Sequence, residues 1–344
     1  MQSKKSQVSE QFNWIFAIVA GGIILIFFIF VIGQLKTTSE IKLSTKVLQN
    51  FDAILAGSSV TPNSLNVVDS SKLLKFDITC DTDGYSDLRI LQSRAKSLDL
   101  SQKFIFSPSI VTGKKLYLYV LPISNPFIIG NAILLSGDNV LFVENLKSET
   151  DVHLDNLFKQ FPDNISKQRS PIFDKNVLSF DKIVVLSKNP APDLTDRDDL
   201  KGAKNLVKKE VLWIELSFSD VDAKHAKVYY KTDKEKVFRD PESINLPSNE
   251  FALFLAYSKN LDFYKCNLRK INLKVKILSK VFLEKVNLYE ETVTNDQCLL
   301  DYDSATDVLN NIISATNVFS IEDEVEKLKE INHNLLLKSC PLIY

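Results

Sequence analysis

The most apolar stretch of the chain is a single run near its N-terminus. Residues 14–33 (WIFAIVAGGIILIFFIFVIG) contain no charged side chain. A helix of this length extends about 30 Å, which matches the hydrocarbon core of a bilayer. A cleaved secretory signal, whose apolar region is shorter and ends in small residues, is one alternative, and a buried core helix is the other. The pattern predicts a transmembrane helix over residues 14–34, after a basic leader over residues 1–13.

A second helical pattern follows the apolar run. Its apolar side chains recur at intervals of three and four residues: Ile41, Val47, Leu48, Phe51, Ile54 and Leu55. This spacing predicts an amphipathic stalk helix over residues 35–57, which Gly57 ends. Residues 58–71 are polar and contain a proline, so they are predicted to form a linker.

The central part of the chain alternates between strand and helix patterns. Short apolar runs predict strands at residues 74–79, 104–106, 116–121, 140–143, 183–186, 212–218, 227–231 and 251–257. Helical patterns lie between them at residues 85–98, 126–135 and 151–161. Several runs, such as VLFVE and KIVVLS, are continuous, which is typical of strands covered on both faces. We therefore expect an α/β head domain with a mixed, Rossmann-like sheet over residues 72–258.

The last part of the chain has a helical period. Its first apolar stripe consists of Leu268, Ile271, Val275, Leu278, Phe282, Val286 and Tyr289. A second helix is predicted after Asn295, and a third begins at Ser320, where Asp323 completes a capping box. Because the connections are short, consecutive helices are expected to pack antiparallel as a three-helix subdomain over residues 259–344.

Composition and motifs exclude several classes of function. The 42 basic and 43 acidic side chains give a net charge of −1, which disfavours a general affinity for nucleic acid. The chain has nine glycines, and the strands that end at Val143 and Leu186 continue into Glu144 and Ser187 rather than a glycine-rich phosphate loop. No G-x-S-x-G motif is present either. We therefore predict no cofactor and no catalysis.

Two patterns bear on metal binding. The loop over residues 189–199 contains four aspartates: Asp193, Asp196, Asp198 and Asp199. It lacks the central glycine and closing glutamate of an EF-hand loop, so a solvated acidic loop is favoured and a cation site is the alternative. The three histidines, His153, His225 and His333, lie on different predicted elements without an HExxH motif, which favours surface positions. We predict no metal.

All four cysteines follow the apolar run and none forms a CxxC pair, which disfavours a zinc or thioredoxin-type site. Cys298 opens the second C-terminal helix and Cys340 follows the third, so both belong at one end of the helical bundle. Cys266 belongs at the other end, about 35 Å away. This geometry favours a Cys298–Cys340 disulfide, which leaves Cys80 to pair with Cys266. Four buried thiols in a reducing compartment are the alternative.

The leader contains a recognisable motif. Lys4 and Lys5 precede Ser6, Gln7 and Ser9, directly before the apolar run. This pattern resembles the class III signal of archaeal type IV pilin-like proteins, a basic pair and a small residue followed by Gln-x-Ser-x-Glu; here a glutamine stands in the Glu position. The resemblance implies cleavage before Gln7 by a membrane aspartic peptidase. An ordinary basic leader is the alternative reading. The layout also resembles archaeal single-pass membrane proteins with no assigned activity.

These patterns together predict a single-pass protein of the cell membrane that contacts the bilayer through residues 14–34. The N-terminus is expected in the cytoplasm and the C-terminal domain outside it. The predicted function is that of a structural or interaction protein, a pilin-like or cell-envelope component that contacts other envelope or pilus subunits. A bitopic ligand-binding ectodomain or an accessory subunit of a membrane complex is the alternative, and a membrane-tethered enzyme is the least favoured class.

Overall fold

The computed structural model describes residues 4–344 except residues 59, 92–96, 109, 125, 146–151, 170–178, 193–204, 220–221 and 317–321. Within the helices and strands it leaves aside the side chains of residues 4–18, 35–41, 43, 70–74 and 322. The helices are α1 (Lys4–Ser58), α2 (Val152–Lys159), α3 (Asn249–Ala256), α4 (Leu261–Thr292), α5 (Asp296–Ser314) and α6 (Glu322–Leu337).

The strands form two mixed sheets of six strands each. The first sheet contains β1 (Leu65–Cys80), β2 (Ser86–Ile90), β3 (Leu98–Asp99), β4 (Phe104–Phe106), β5 (Val111–Ser124) and β6 (Ile128–Gly137). The second contains β7 (Val140–Asn145), β8 (Lys167–Arg169), β9 (Lys182–Ser187), β10 (Glu210–Ser219), β11 (Asp222–Lys231) and β12 (Glu242–Asn245).

The two sheets differ in topology. The first has the order β3-β2-β1-β5-β6-β4, and its pairs are antiparallel except for the edge strand β4, which runs parallel to β6. The second has the order β12-β11-β10-β9-β7-β8, and the strands from β10 to β8 are parallel. In the second sheet the chain moves from β7 through α2 to β8 and then returns to β9 on the other side of β7, as in a doubly wound fold.

Continuous apolar runs in the strands arise because both faces of each sheet are buried. Along β7, Val140 and Phe142 belong to the largest core, which lies among both sheets and helices α2–α6, whereas Leu141 and Val143 belong to a separate core on the opposite face. The first sheet also has two buried faces, and the outer one is covered by α1. The sequence prediction of strands covered on both faces is confirmed for these runs.

The C-terminal part of α1 packs against the first sheet. Leu48, Phe51 and Leu55 are buried and follow the 3–4 spacing of an amphipathic helix. The rings of Phe51 and Phe76 on β1 stack with their centroids 5.3 Å apart. Residues 47–58, called the docking segment below, therefore belong to the head instead of forming a free stalk.

The prediction of a membrane anchor is corrected. Over the described residues, no helix is both long enough and apolar enough to cross a membrane. The transmembrane helix over residues 14–34 and the single-pass localisation with an extracytoplasmic C-terminal domain were therefore wrong. The apolar run was considered alone, whereas it is one part of a 55-residue helix whose C-terminal part joins the core of the head. The structure is a mixed α/β protein with two mixed sheets and C-terminal helices.

Several element assignments differ from the sequence patterns. The predicted strand over residues 251–257 belongs to α3, because every side chain from Phe251 to Ala256 is buried and the run therefore has no periodicity. The predicted helix over residues 126–135 is instead β6, whose residues alternate between two cores. The pattern over residues 85–98 contains β2 and the start of β3, and the predicted linker contains the start of β1.

Candidate functional site

The most unusual surface of the molecule is the N-terminal part of α1. Ten large apolar side chains between residues 19 and 32 are 54–69% exposed: Val19, Ile23, Ile24, Leu25, Ile26, Phe27, Phe28, Ile29, Phe30 and Ile32. Residues 19–32 are called the apolar segment below. Because successive residues of a helix are rotated by about 100°, eight consecutive apolar positions from Ile23 to Phe30 cover every side of it.

A helix without a polar face is normally covered on all sides. Contiguous exposed apolar surface on this scale marks a site of interaction, since the surface of an ordinary monomer is broken up by polar side chains. The apolar segment is therefore the candidate functional site. The sequence identified this stretch of chain, and the structure adds that these side chains do not pack on the rest of the molecule.

The head holds α1 in place through charge as well as packing. Asp52 forms an ion pair with Lys103 in which Oδ1 and Nζ are 2.5 Å apart. The backbone carbonyl of Lys103 accepts a hydrogen bond of 2.8 Å from Nζ of Lys270 on α4. A chain of polar contacts thus runs from α1 through the loop before β4 to α4.

Two disulfides close the head. Cys80 at the end of β1 is bonded to Cys266 on α4, with Cα atoms 6.1 Å apart, and Cys298 on α5 is bonded to Cys340 after α6, with Cα atoms 5.9 Å apart. These are the two pairs that the sequence geometry favoured, and no cysteine is left free. The first bond ties the sheet under α1 to the helical subdomain, and the second fastens the C-terminal end of the chain.

A buried polar cluster lies where an α/β enzyme would bind its ligand. Asn145 and Ser187 end the neighbouring parallel strands β7 and β9, at the point where the strand order reverses. Nδ2 of Asn145 donates to Oγ of Ser187 at 3.2 Å, and the same oxygen accepts the backbone N–H of Asn189 at 2.9 Å. Nε1 of Trp213 donates to the carbonyl of Asn189 at 2.9 Å.

The adjacent residue, Glu144, is fully buried and faces the other side of the sheet. Its Oε2 lies 3.4 Å from Nε of Arg169 on β8, and the same guanidinium contacts Asp155 on α2 at 2.8 Å. These interactions join β7, β8 and α2. The sequence predicts that loops begin at Glu144 and Ser187. A charged or polar residue that directly ends an apolar run is the signal that could have identified them as buried.

Three buried lysines fasten loops to the core. Nζ of Lys231 donates to four backbone carbonyls, those of Leu206, Val207, Lys209 and Thr232. Nζ of Lys182 reaches the carbonyl of Lys259 at 2.7 Å and Glu210 at 3.0 Å. Burial lowers the pKa of Lys182 and of Lys231, and it lowers the pKa of Lys270 to about 8. These ammonium groups donate hydrogen bonds to backbone carbonyls at the turns of a chain that has nine glycines.

Further site residues were predicted in the leader and in the acidic loop. Lys4, Lys5, Ser6, Gln7 and Ser9 belong to the first turns of α1, and their side chains lie outside the described residues. The acidic loop residues Asp193, Asp196, Asp198 and Asp199 also lie outside them. Where the structure does describe the chain, no group of three or more histidine, cysteine or acidic side chains could hold a metal ion.

The histidines have separate surroundings. The ring of His153 on α2 stacks on Phe218 with centroids 5.8 Å apart, and Nδ1 of His225 on β11 lies 2.8 Å from Oδ1 of Asn245. His333 lies on α6. The three residues therefore lie on three different elements, as the sequence indicated.

The chain matches no protein-family model, and comparisons with curated proteins and with solved structures find no significant similarity.

Proposed function

We propose that this protein is a structural subunit without catalytic activity that assembles with further copies of itself through the apolar segment of α1. The proposed layout, a head carried on a long helix, is also that of the pilin-like proteins whose signal the leader resembles. The observation that carries it is the apolar surface on every side of residues 19–32.

Energetics support assembly through this segment. Full burial of one large apolar side chain stabilises by about 1.5–3 kcal/mol relative to exposure. Loss of translational and rotational freedom on association costs about 4–15 kcal/mol. Ten such side chains, even when each is buried only in part, are enough to offset that cost. Burial of a single exposed leucine or phenylalanine would not offset that cost.

The head supports the same role as a rigid platform. Its cores occupy both faces of each sheet, and two disulfides connect β1 to α4 and α5 to the C-terminal end. At the carboxyl edge of the second sheet, Nδ2 of Asn145 donates to Oγ of Ser187, and Trp213 donates to the carbonyl of Asn189 in the following loop.

Sedimentation equilibrium of the full chain tests the proposal. The double variant Ile24→Asp/Phe27→Asp places two carboxylates on the apolar segment, and Val237→Asp is the matched control at an exposed apolar position of the head. We expect the unmodified chain and the control to form oligomers whose mass rises with concentration. The double variant is expected to sediment as a monomer.

Two results would contradict the proposal. One is a monomeric mass for the unmodified chain at every concentration. The other is association that the double variant retains in full. If the unmodified chain is dispersed only when detergent or lipid vesicles are present and then carries one protein per particle, the apolar segment binds amphiphiles instead of other copies, and self-assembly is excluded.

A further inference from the structure

A groove of about 810 Å³ lies on the head, away from the apolar segment. One wall is α4, and the other is formed by the β1–β2 turn, the loop before β4 and the start of β6. This volume falls within the range of small-molecule sites. Nothing in the assembly proposed above uses this groove, so it calls for a separate explanation.

One end of the groove is cationic. Arg269 and Lys274 on α4 are exposed and line it, with the buried Lys270 beneath them. The guanidinium of Arg269 donates one hydrogen bond of 3.0 Å to the carbonyl of Thr82. Among the described residues, neither Arg269 nor Lys274 forms an ion pair with a carboxylate, and Asp83 is the one acidic residue of the lining. This end of the groove therefore has surplus positive charge.

The adjoining wall is apolar. Leu273 and Ile277 follow Arg269 at helical spacing and remain 61% and 48% exposed. Ile129 and Ile133 of β6 line the opposite side. An apolar body that lies between these walls would cover two large side chains of α4 that the head itself leaves in contact with water.

Two glycines with positive φ line the groove. Gly84 and Gly130 are the glycines that adopt positive φ in the described part of the chain, at 85° and 156°, and both line this groove. A Cβ atom on Gly130 would meet the ring of Phe104 at 3.2 Å, and one on Gly84 would meet Cγ of Lys270 at 3.4 Å. In a glycine-poor chain, both residues hold backbone conformations that other residues rarely adopt.

We propose that this groove binds an amphiphilic anion, with its carboxylate or phosphate head between Arg269 and Lys274 and its unbranched apolar body along Leu273 and Ile277. Charge complementarity selects the anion, since guanidinium and ammonium groups are the usual partners of these heads. The apolar wall selects a chain over a small hydrophilic anion. The site is independent of the assembly proposed for α1.

Photocrosslinking of the full chain tests this site. The probe is decanoate that carries a diazirine in its alkyl chain, used below its micelle concentration, with peptide mapping of the attached label. Mapping is required because the apolar segment of α1 also attracts alkyl chains. We expect saturable labelling of α4 and β6, competition by decyl phosphate, and no competition by decyltrimethylammonium, butyrate or inorganic phosphate.

Matched variants isolate the cationic end. Arg269→Ala/Lys274→Ala removes two charges that line the groove, and Lys276→Ala/Lys280→Ala removes two charges from the same helix outside it. We expect at least a tenfold loss of affinity for the first variant and less than a twofold change for the second. Leu273→Glu, at an exposed position that leaves the core intact, is expected to abolish labelling of α4.

Three outcomes would contradict this binding site. Equal affinities of the two double variants, equal competition by the cationic amphiphile, or label confined to residues 19–34 would each overturn the proposal. A parallel sample with vesicles that contain an anionic phospholipid distinguishes the source of the ligand: competition by vesicles indicates a lipid headgroup, and its absence indicates a free amphiphile.

Discussion

The two ends of α1 belong to one continuous helix, yet they have opposite relations to the rest of the molecule. In the docking segment, apolar residues occupy one stripe, and Leu48, Phe51 and Leu55 are buried against the first sheet. In the apolar segment, every side of the helix is apolar and ten large side chains are more than half exposed. A stripe fits a single partner surface, whereas an apolar surface on all sides needs surroundings on all sides.

This difference between the two ends of α1 explains why only the docking segment packs within the monomer. The first sheet packs against the stripe of the docking segment. Covering the apolar segment would require several further elements around it. We therefore attribute stability of the head to the docking segment and association between chains to the apolar segment, and the following predictions test that division.

The largest effect is expected for Phe51→Ala, because Phe51 is buried and its ring stacks on Phe76. Truncation of a buried phenylalanine costs about 3–5 kcal/mol. The matched change Phe27→Ala, at an exposed position of the same helix, is expected to alter the free energy of unfolding of the head by less than about 0.5 kcal/mol. Urea unfolding at one fixed protein concentration measures both values, and similar losses for the two variants would contradict the division.

The two disulfides are also expected to differ in how much they stabilise the head. Cys80–Cys266 spans 186 residues and ties the sheet under the docking segment to α4, whereas Cys298–Cys340 spans 42 residues. Loop-closure entropy predicts that the double alanine variant of the first pair loses about 5 kcal/mol and that of the second about 4 kcal/mol. Thermal unfolding without reductant measures the order of the two, and a reversed order would argue against this account.

A third effect comes from pH. Burial lowers the pKa of Lys270 to about 8, below the ordinary value near 10.5 that it regains on unfolding. Between these two values the unfolded chain binds more protons, so the free energy of unfolding rises by about 2 kcal/mol from pH 7 to pH 9.5. Lys270→Met is expected to remove most of this rise, and an unchanged pH profile in that variant would contradict the assignment.

The pH range of that experiment has an upper limit. Burial raises the pKa of Tyr257 and of Tyr264, so these phenols stay neutral in the folded state while the unfolded chain ionises above about pH 10. Their effect on stability has the opposite sign to that of Lys270. Measurements up to pH 9.5 therefore avoid these phenols, and the difference between the unmodified chain and Lys270→Met isolates Lys270, because the buried Lys182 and Lys231 are present in both.

The smallest effect is expected for Asp52→Asn in the docking segment. Asp52 is about half exposed, and ion pairs of this kind contribute about 0.2–1 kcal/mol. We expect a loss of about 0.5 kcal/mol at low salt that disappears in 1 M NaCl, since salt screens exposed charges. A loss above 2 kcal/mol would mean that charge, and not packing, holds the docking segment on the sheet.

The sequence was informative wherever a pattern has one physical meaning. The stripes of α4, α5 and α6 and the strands β4, β7 and β9 lie where their periods predicted them. The pairing of the four cysteines followed from the length and direction of the C-terminal helices. In each case a local period or a simple distance was sufficient.

The sequence was misleading at two central elements, α3 and β6. Residues of α3 and β6 face cores in every direction, so neither a helical nor an alternating pattern survives. Length and hydropathy alone predict a membrane anchor for the apolar run, because the sequence does not show that the same helix continues into the core of the head. The groove beside α4 was not predicted, since its walls come from elements more than a hundred residues apart in sequence.

Interchain crosslinking through a single introduced cysteine tests the central claim most directly. Because both native disulfides leave no free thiol, Phe27→Cys and the control Val237→Cys each add one reactive group to the unmodified chain. If the apolar segment joins copies of the protein, mild oxidation will link Phe27→Cys chains into covalent dimers, while Val237→Cys chains stay monomeric. Equal crosslinking of the two variants, or none at Phe27→Cys, would contradict assembly through the apolar segment.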